Sequence, residues 1–303
     1  MRPRVPADRR GTDVIADRPR DLIVAGHVNV DRRLALEEFP APDRTVPAAA
    51  APPELGGTAT NLGRVAAANG LRVGLFARVG DGFPAEFLDR IDRAGIDLRG
   101  VTTVRGRATP TCFILEDRHG GQRTLIDQGA MADDGTAAPI PAAWLREYAW
   151  VHIGTGPPAI QLRLAERARA AGVRVAADPA QEIFYRWSPT TFRRLLSRSE
   201  LLFGNRDEIA RAVELVGGRS AADLLELVPA VVRTEGRRGA TFLTRAGRVH
   251  AAPPSPRRAR SYVGAGDAFR GGFYAAFLRG EAAPATLRAG HRAAAAWIAG
   301  RRP

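Results

Sequence analysis

Short apolar runs alternate with amphipathic stretches along most of this chain, and the alternation predicts its elements. LIVAG, opening at Asp21, reads as a buried strand that runs into a turn. Residues 61–70 (NLGRVAAANG) read as a small-residue helix that stops at a glycine. Residues 71–80 read as a strand and 83–95 as a helix. The same strand-then-helix rhythm returns at 149–154 and 158–171, at 173–179 and 188–199, and at 201–205 and 206–216. Residues 228–236, 240–247 and 248–253 are strand-like, and two helices close the chain at about 266–280 and 284–299. Strands separated by helices argue for an α/β fold, with a mostly parallel sheet covered on both faces.

Two stretches break the rhythm. Residues 32–54 are irregular and rich in Pro and Ala, and residues 101–127 hold extended segments without helices. The pattern allows them to pair as a small accessory sheet. Residues 1–20 are Arg-, Pro- and Asp-rich with little to bury, which predicts a disordered tail ahead of a single domain over 21–303.

Composition narrows the partners. The chain has 303 residues, 45% hydrophobic and 25% charged, which is ordinary globular usage. No apolar run has the ~18–20 residues a membrane span needs, and the N-terminus lacks the apolar core of a secretory signal. The single cysteine, Cys112, excludes an internal disulfide and argues for a reducing, cytoplasmic setting. The formal charge of +13 raises nucleic acid as a partner, but all 45 basic residues are arginine and they are dispersed. That pattern points to coding bias, with some of the charge available to anionic substrates, and away from nucleic acid.

Chemistry concentrates in a few glycine-rich places. Gly264-Ala265-Gly266-Asp267 opens the penultimate helix. Small residues there let backbone amides approach an anion, and the helix dipole points the same way. Asp267 suits proton abstraction from a hydroxyl that attacks phosphate. Taken alone, the segment is equally a Gly-rich turn with an acidic residue at a helix start. Three other segments accompany it in order. Gly56-Gly57 with Asn61 opens an earlier helix, Asn205-Arg206-Asp207-Glu208 follows the strand LLFG, and Thr234-Glu235-Gly236 to Gly239 follows the strand VVR.

In order and spacing these segments resemble the ribokinase-like (PfkB) carbohydrate kinases, a family that includes ribokinase, adenosine kinase and minor phosphofructokinases. The resemblance covers about residues 21–300. It implies a Rossmann-like three-layer sandwich with a small β-sheet lid, built from segments 32–54 and 101–127. It implies ATP and Mg²⁺ as cofactors, and transfer of the γ-phosphoryl group to a hydroxyl. Asp267 matches the catalytic base, and Gly264, Ala265 and Gly266 match the anion hole. Asp31, Gly56, Gly57 and Asn61 match the substrate side, with Arg123 in the second lid segment also able to reach substrate. Asn205, Thr234, Gly236, Gly239 and His291 fall on the nucleotide side. Asn205 with Glu208 matches the Asn-x-x-Glu motif that holds Mg²⁺ through water, and the same pair reads as a helix N-cap with a first-turn glutamate.

Some positions depart from the family pattern. Ser261-Tyr262-Val263 stands where Asp-Thr-x is common, and Ala180 stands where an asparagine follows the Asp-Pro strand end. The resulting expectation is an ATP-dependent sugar kinase, with a nucleoside or a sugar phosphate as alternative acceptor and ADP as alternative donor. A non-catalytic sugar- or nucleotide-binding regulator is the reading of another class, which the intact Asp267 argues against. A homodimer paired through the lid edge is also expected from the resemblance.

Overall fold

The computed structural model describes residues 20–132, 140–254 and 262–303. The predicted tail, apart from Arg20, and Ser261 lie outside the described residues.

The strands are β1 (Arg20–Ala25), β2 (Asn29–Leu36), β3 (Ala49–Ala50), β4 (Glu54–Gly56), β5 (Val73–Asp81), β6 (Asp97–Ala108), β7 (Thr111–Asp117), β8 (Gln122–Asp127), β9 (Tyr148–Ile153), β10 (Arg174–Ala177), β11 (Leu201–Asn205), β12 (Ala230–Thr234), β13 (Ala240–Thr244) and β14 (Gly247–Ala251). The helices, numbered along the described chain, are α1 (Thr58–Ala68), α2 (Ala85–Arg93), α3 (Ala142–Arg146), α4 (Pro158–Ala170), α5 (Pro189–Leu196), α6 (Arg206–Leu215), α7 (Ala265–Phe277) and α8 (Ala283–Ile298).

Nine strands form the main sheet in the order β14-β13-β12-β11-β10-β9-β1-β5-β6. All pairings from β12 to β6 are parallel, and β13 and β14 add an antiparallel edge. Alternate residues of each strand face opposite layers. Ile23 and Ala25 pack with α3 to α6, whereas Leu22 and Val24 pack with α1, α2, α7 and α8. Strands buried on both faces explain the nearly unbroken apolar runs of the sequence. The three-layer sandwich with its mostly parallel sheet is as expected.

The second sheet has the order β3-β2-β7-β8, with β4 also paired to β2. It differs from the predicted lid in two ways. Residues 97–108 do not join it: β6 runs parallel to β5 on the edge of the main sheet, with Ala77 opposite Val101 and Val79 opposite Thr103. The second lid segment therefore starts at Thr111 rather than at 101, because β5 offers an unpaired main-sheet edge that a strand of that length fills. The first segment starts earlier than predicted, since Asp31 lies inside β2 rather than in a turn. The short helix α3 was not legible in the periodicity. Among the described residues, no helix is long and apolar enough to cross a membrane.

Helix α7 is fixed to the sheet by an aromatic cluster. The fully buried Phe273 ring lies 5.2 Å from Phe203 of β11 and 6.1 Å from Phe242 of β13, centroid to centroid. Removing such a ring opens a cavity that packed neighbours fill only in part. Phe273→Ala is expected to lower the unfolding free energy by about 3–5 kcal/mol, as read by chemical denaturation.

Candidate active site

Strand β1 lies between β5 and β9, so the chain leaves neighbouring strands in opposite directions and opens a crevice at their carboxyl ends. A narrow pocket sits there, with Thr58, His152, Thr155, Asp178, Ala180 and Asp267 in its wall. Of the predicted site residues Asp267 lines it, and Asn61 of α1 meets Asp267 there.

On one side stands Asp31 of β2. Its Oδ1 accepts a 2.6 Å hydrogen bond from Asn29 Nδ2. Burial pushes the carboxyl up to about 6, against the pull of Asn29 and Arg33. The Gly56 backbone packs against this carboxylate so closely that any side chain at 56 would strike it. Gly57 follows with φ +103°, a conformation that favours glycine, and caps α1. One turn into α1, Asn61 Nδ2 donates to Asp267 Oδ2 at 3.1 Å. The segment from Gly56 to Asn61 thereby runs from one of the carboxylates singled out in the sequence to the other.

On the other side, α7 begins at Ala265 behind Gly264, which is left-handed with φ +77°. The turn is held from α8, where Trp297 Nε1 donates to the Val263 carbonyl at 2.7 Å. The Ala265 amide donates back to the Tyr262 carbonyl at 3.1 Å. The next amides, of Gly266 and Asp267, lie in the first turn, where no intrahelical acceptor exists. Desolvation pushes the Asp267 carboxyl up to about 7, while Arg270 and the Asn61 hydrogen bond pull it down.

Asn205 and Glu208 form a reciprocal capping box at the start of α6. Asn205 Oδ1 accepts from the Asp207 and Glu208 amides at 2.9 Å, and Glu208 Oε2 accepts from the Asn205 amide at 2.7 Å. Gln181 Nε2 donates to the other Glu208 oxygen at 2.8 Å. The capping reading of the motif is thus realised, with one hydrogen bond to each Glu208 oxygen. Thr234 ends β12, and Gly236 and Gly239 shape the turn into β13.

Two expected contacts take other roles. His291 is buried, its ring 5.1 Å from Phe269, and its Nε2 donates to the Ala251 carbonyl at 2.9 Å. It packs α8 onto β14 rather than presenting a free ring edge to a nucleotide. Arg123 stacks over Phe39 at 4.3 Å. The lid register aligns Asp31 with Cys112 and Ile126, which puts Arg123 on the opposite face of that sheet.

Several residues of the crevice were not foreseen. Asn29 was legible only as the neighbour of Asp31. Beneath Asp267, Arg270 Nη2 donates to Asp178 Oδ1 at 2.8 Å, and its Nε pairs with the other Asp178 oxygen. His152 Nε2 lies 3.3 Å from Asp178, and its Nδ1 lies 3.0 Å from the Tyr274 hydroxyl. Burial alone would raise the Asp178 carboxyl, but Arg270 and His152 hold it below the usual range. The one sequence signal was spacing: Arg270 lies one helical turn beyond Gly266 and Asp267. At the switch point itself, His27 Nδ1 is 2.7 Å from Thr155 Oγ1 and His27 Nε2 is 2.6 Å from Gln128 Oε1, which ties β1, β9 and the end of the lid together.

Known proteins share this architecture. The sequence model of the pfkB family carbohydrate kinases matches residues 19–301. A nucleoside kinase from Methanothermobacter thermautotrophicus is 32% identical over 268 residues, 86% of this chain and 84% of that protein. A cytidine kinase from Thermococcus kodakarensis is 30% identical over 277 residues, 89% of this chain and 93% of its own length. Among solved structures, the nucleoside kinase of Methanocaldococcus jannaschii, an archaeal member of the ribokinase family, superposes with a TM-score of 0.84 at 24% identity, covering 93% of this chain and 92% of that one. With a match across nearly its whole length, this chain belongs to the pfkB family of carbohydrate kinases, phosphotransferases of the ribokinase type that act on hydroxyl groups.

Proposed function

We propose that this protein is a nucleoside kinase that transfers the γ-phosphoryl group of ATP to the 5′-hydroxyl of a ribonucleoside, with Asp267 as general base. The observation that carries the reading is the placement of Asp267. A desolvated carboxyl stands at the open amides of α7 and is linked through Asn61 to the acceptor-side helix. Relatives named nucleoside kinase and cytidine kinase support a nucleoside over the free sugar that the resemblance first suggested.

Asp31 and Asn29 are suited to a sugar's neighbouring hydroxyls, because a carboxylate accepts from two donors and a carboxamide can do both. With the sugar so anchored, its primary hydroxyl faces Asp267. Asp267 takes the hydroxyl proton as the oxygen attacks the γ-phosphorus. The bond to the β,γ-bridging oxygen breaks, and ADP leaves with its electron pair. The amides at the start of α7 hold the phosphoryl oxygens, so positioning and electrostatics supply most of the rate. The turn at Thr234, Gly236 and Gly239 lies on the nucleotide side. The small sheet acts as a lid that keeps water from the phosphoryl group.

Among the described residues, no three His, Cys, Asp or Glu side chains converge to hold a metal directly. That donor set fits Mg²⁺ carried by nucleotide phosphates, with Asn205 and Glu208 touching its water shell. The ion would supply neutralisation of charge on the β- and γ-phosphates. Leu125 and Ile126 are exposed on lid strand β8, which fits a second copy of the chain covering that edge. The lone cysteine and the use of ATP suit the cytoplasm.

A coupled assay across ribonucleosides, ribose and ribose 1-phosphate, with ATP or ADP as donor, tests the reading. Nucleosides with ATP are expected to show a kcat/KM at least tenfold above ribose, and a preference for ribose would overturn the acceptor assignment. Asp267→Asn is expected to reduce kcat by about 10²–10⁴-fold while leaving the Kd for ADP within threefold. Because the base must be unprotonated, wild-type kcat/KM should rise with pH and level off above about 7. Asp31→Ala is expected to raise the nucleoside KM by at least tenfold with the ATP KM unchanged, as steady-state kinetics will show.

A further inference from the structure

Arg270 occupies a position that ordinary helix electrostatics disfavours. It lies on α7 one turn after Gly266, and long helical side chains point back toward the N-terminus. Its guanidinium therefore reaches over the first turn, where the helix dipole repels a cation. The contact is close: a side chain at Gly266 would begin only 2.7 Å from Arg270 Nη1. Gly266 thus leaves room for the guanidinium as well as for an anion. The arginine is only 7% exposed, and the carboxylates of Asp178, Glu208 and Asp267 hold its charge there against burial and the helix dipole.

The fork to Asp178 uses Nε and Nη2. Nη1 makes no hydrogen bond among the described residues, and it lies beside the amides that open α7. An oriented N–H donor without a protein acceptor is placed to meet one that arrives during function. The acceptor that suits this place is anionic, since it meets the helix N-terminus and a guanidinium together. Asp178 is in turn held by His152, and His152 by Tyr274, so the direction of the guanidinium is fixed from strands β9 and β10 and from α7 itself.

We propose that Arg270 is a catalytic residue whose Nη1 donates to an oxygen of the phosphoryl group in transit, adding a cationic donor to the amides of α7. The proposal rests on the kinase reading. It gives Arg270 a part separate from that of Asp267: the arginine stabilises charge on the equatorial oxygens, and the aspartate accepts the acceptor's proton.

The test separates these parts. The wild-type protein is first assayed with its best acceptor, whichever hydroxyl compound that is, so a wrong acceptor class shows itself before any variant is read. Arg270→Gln is then expected to lose about 10²–10³-fold in kcat, with KM for the acceptor and Kd for ADP within about threefold. Arg270→Lys, which keeps the charge but not the fork, should fall between Gln and wild type. Trapping with ADP, acceptor and fluoroaluminate, a mimic of the phosphoryl group in transit, gives the second readout. Asp267→Asn should still form the trapped complex, and Arg270→Gln should not. The double variant Asp178→Asn with Arg270→Gln removes both buried charges and serves if the single variant does not fold; it should show the same loss. Trapping by Arg270→Gln or by the double variant at wild-type strength would overturn the proposal, as would a kcat within threefold of wild type in either.

Discussion

Three carboxylates and one guanidinium share the desolvated corner at the start of α7, and the arrangement of the site follows from that crowding. Asp267, Asp178 and Glu208 each act on the charge of Arg270, and Arg270 opposes the rise in proton affinity that burial imposes on Asp267 and Glu208. Each carboxylate is satisfied in its own way. Asp178 takes the arginine fork and His152, Glu208 closes a capping box and accepts from Gln181, and Asp267 is held by Asn61. The result leaves Asp267, which lines the pocket beside Asp178, as the carboxyl least committed to partners.

The fold supplies the rigidity such a corner needs. Helix α7 is held against the sheet by Phe203, Phe242 and Phe273, while Trp297 of α8 fixes the turn before it. The acceptor side is attached to a different sheet. Asp31 rides on β2 of the small sheet, and His27 and Gln128, at two of the places where the chain passes between the sheets, touch each other at 2.6 Å.

The glycine segments were legible because their spacing is local. Gly56-Gly57 and Gly264 to Gly266 had to be turns with close backbone approach, and the structure shows why: the Asp31 carboxylate crowds one and the Arg270 guanidinium the other. The alternation of apolar runs likewise located most strands and helices, because a strand buried on both faces leaves a mark that depends on few neighbours. The reading failed where the same extended pattern had two partners available. Residues 101–108 looked like lid, yet they pair with β5.

By itself, then, the sequence determined the α/β sandwich, the glycine turns and Asp267 as the residue of interest, since each rests on a pattern within a few residues. Tertiary structure alone decided that Arg123 faces away from Asp31, that His291 packs against Phe269 and Ala251, that Asn29 holds Asp31, and that Arg270 pairs with Asp178. The physical reason is range. Strand register and the pairing of buried charges join residues as far apart as Asp178 and Arg270, and no local pattern along the chain encodes which partner each will meet.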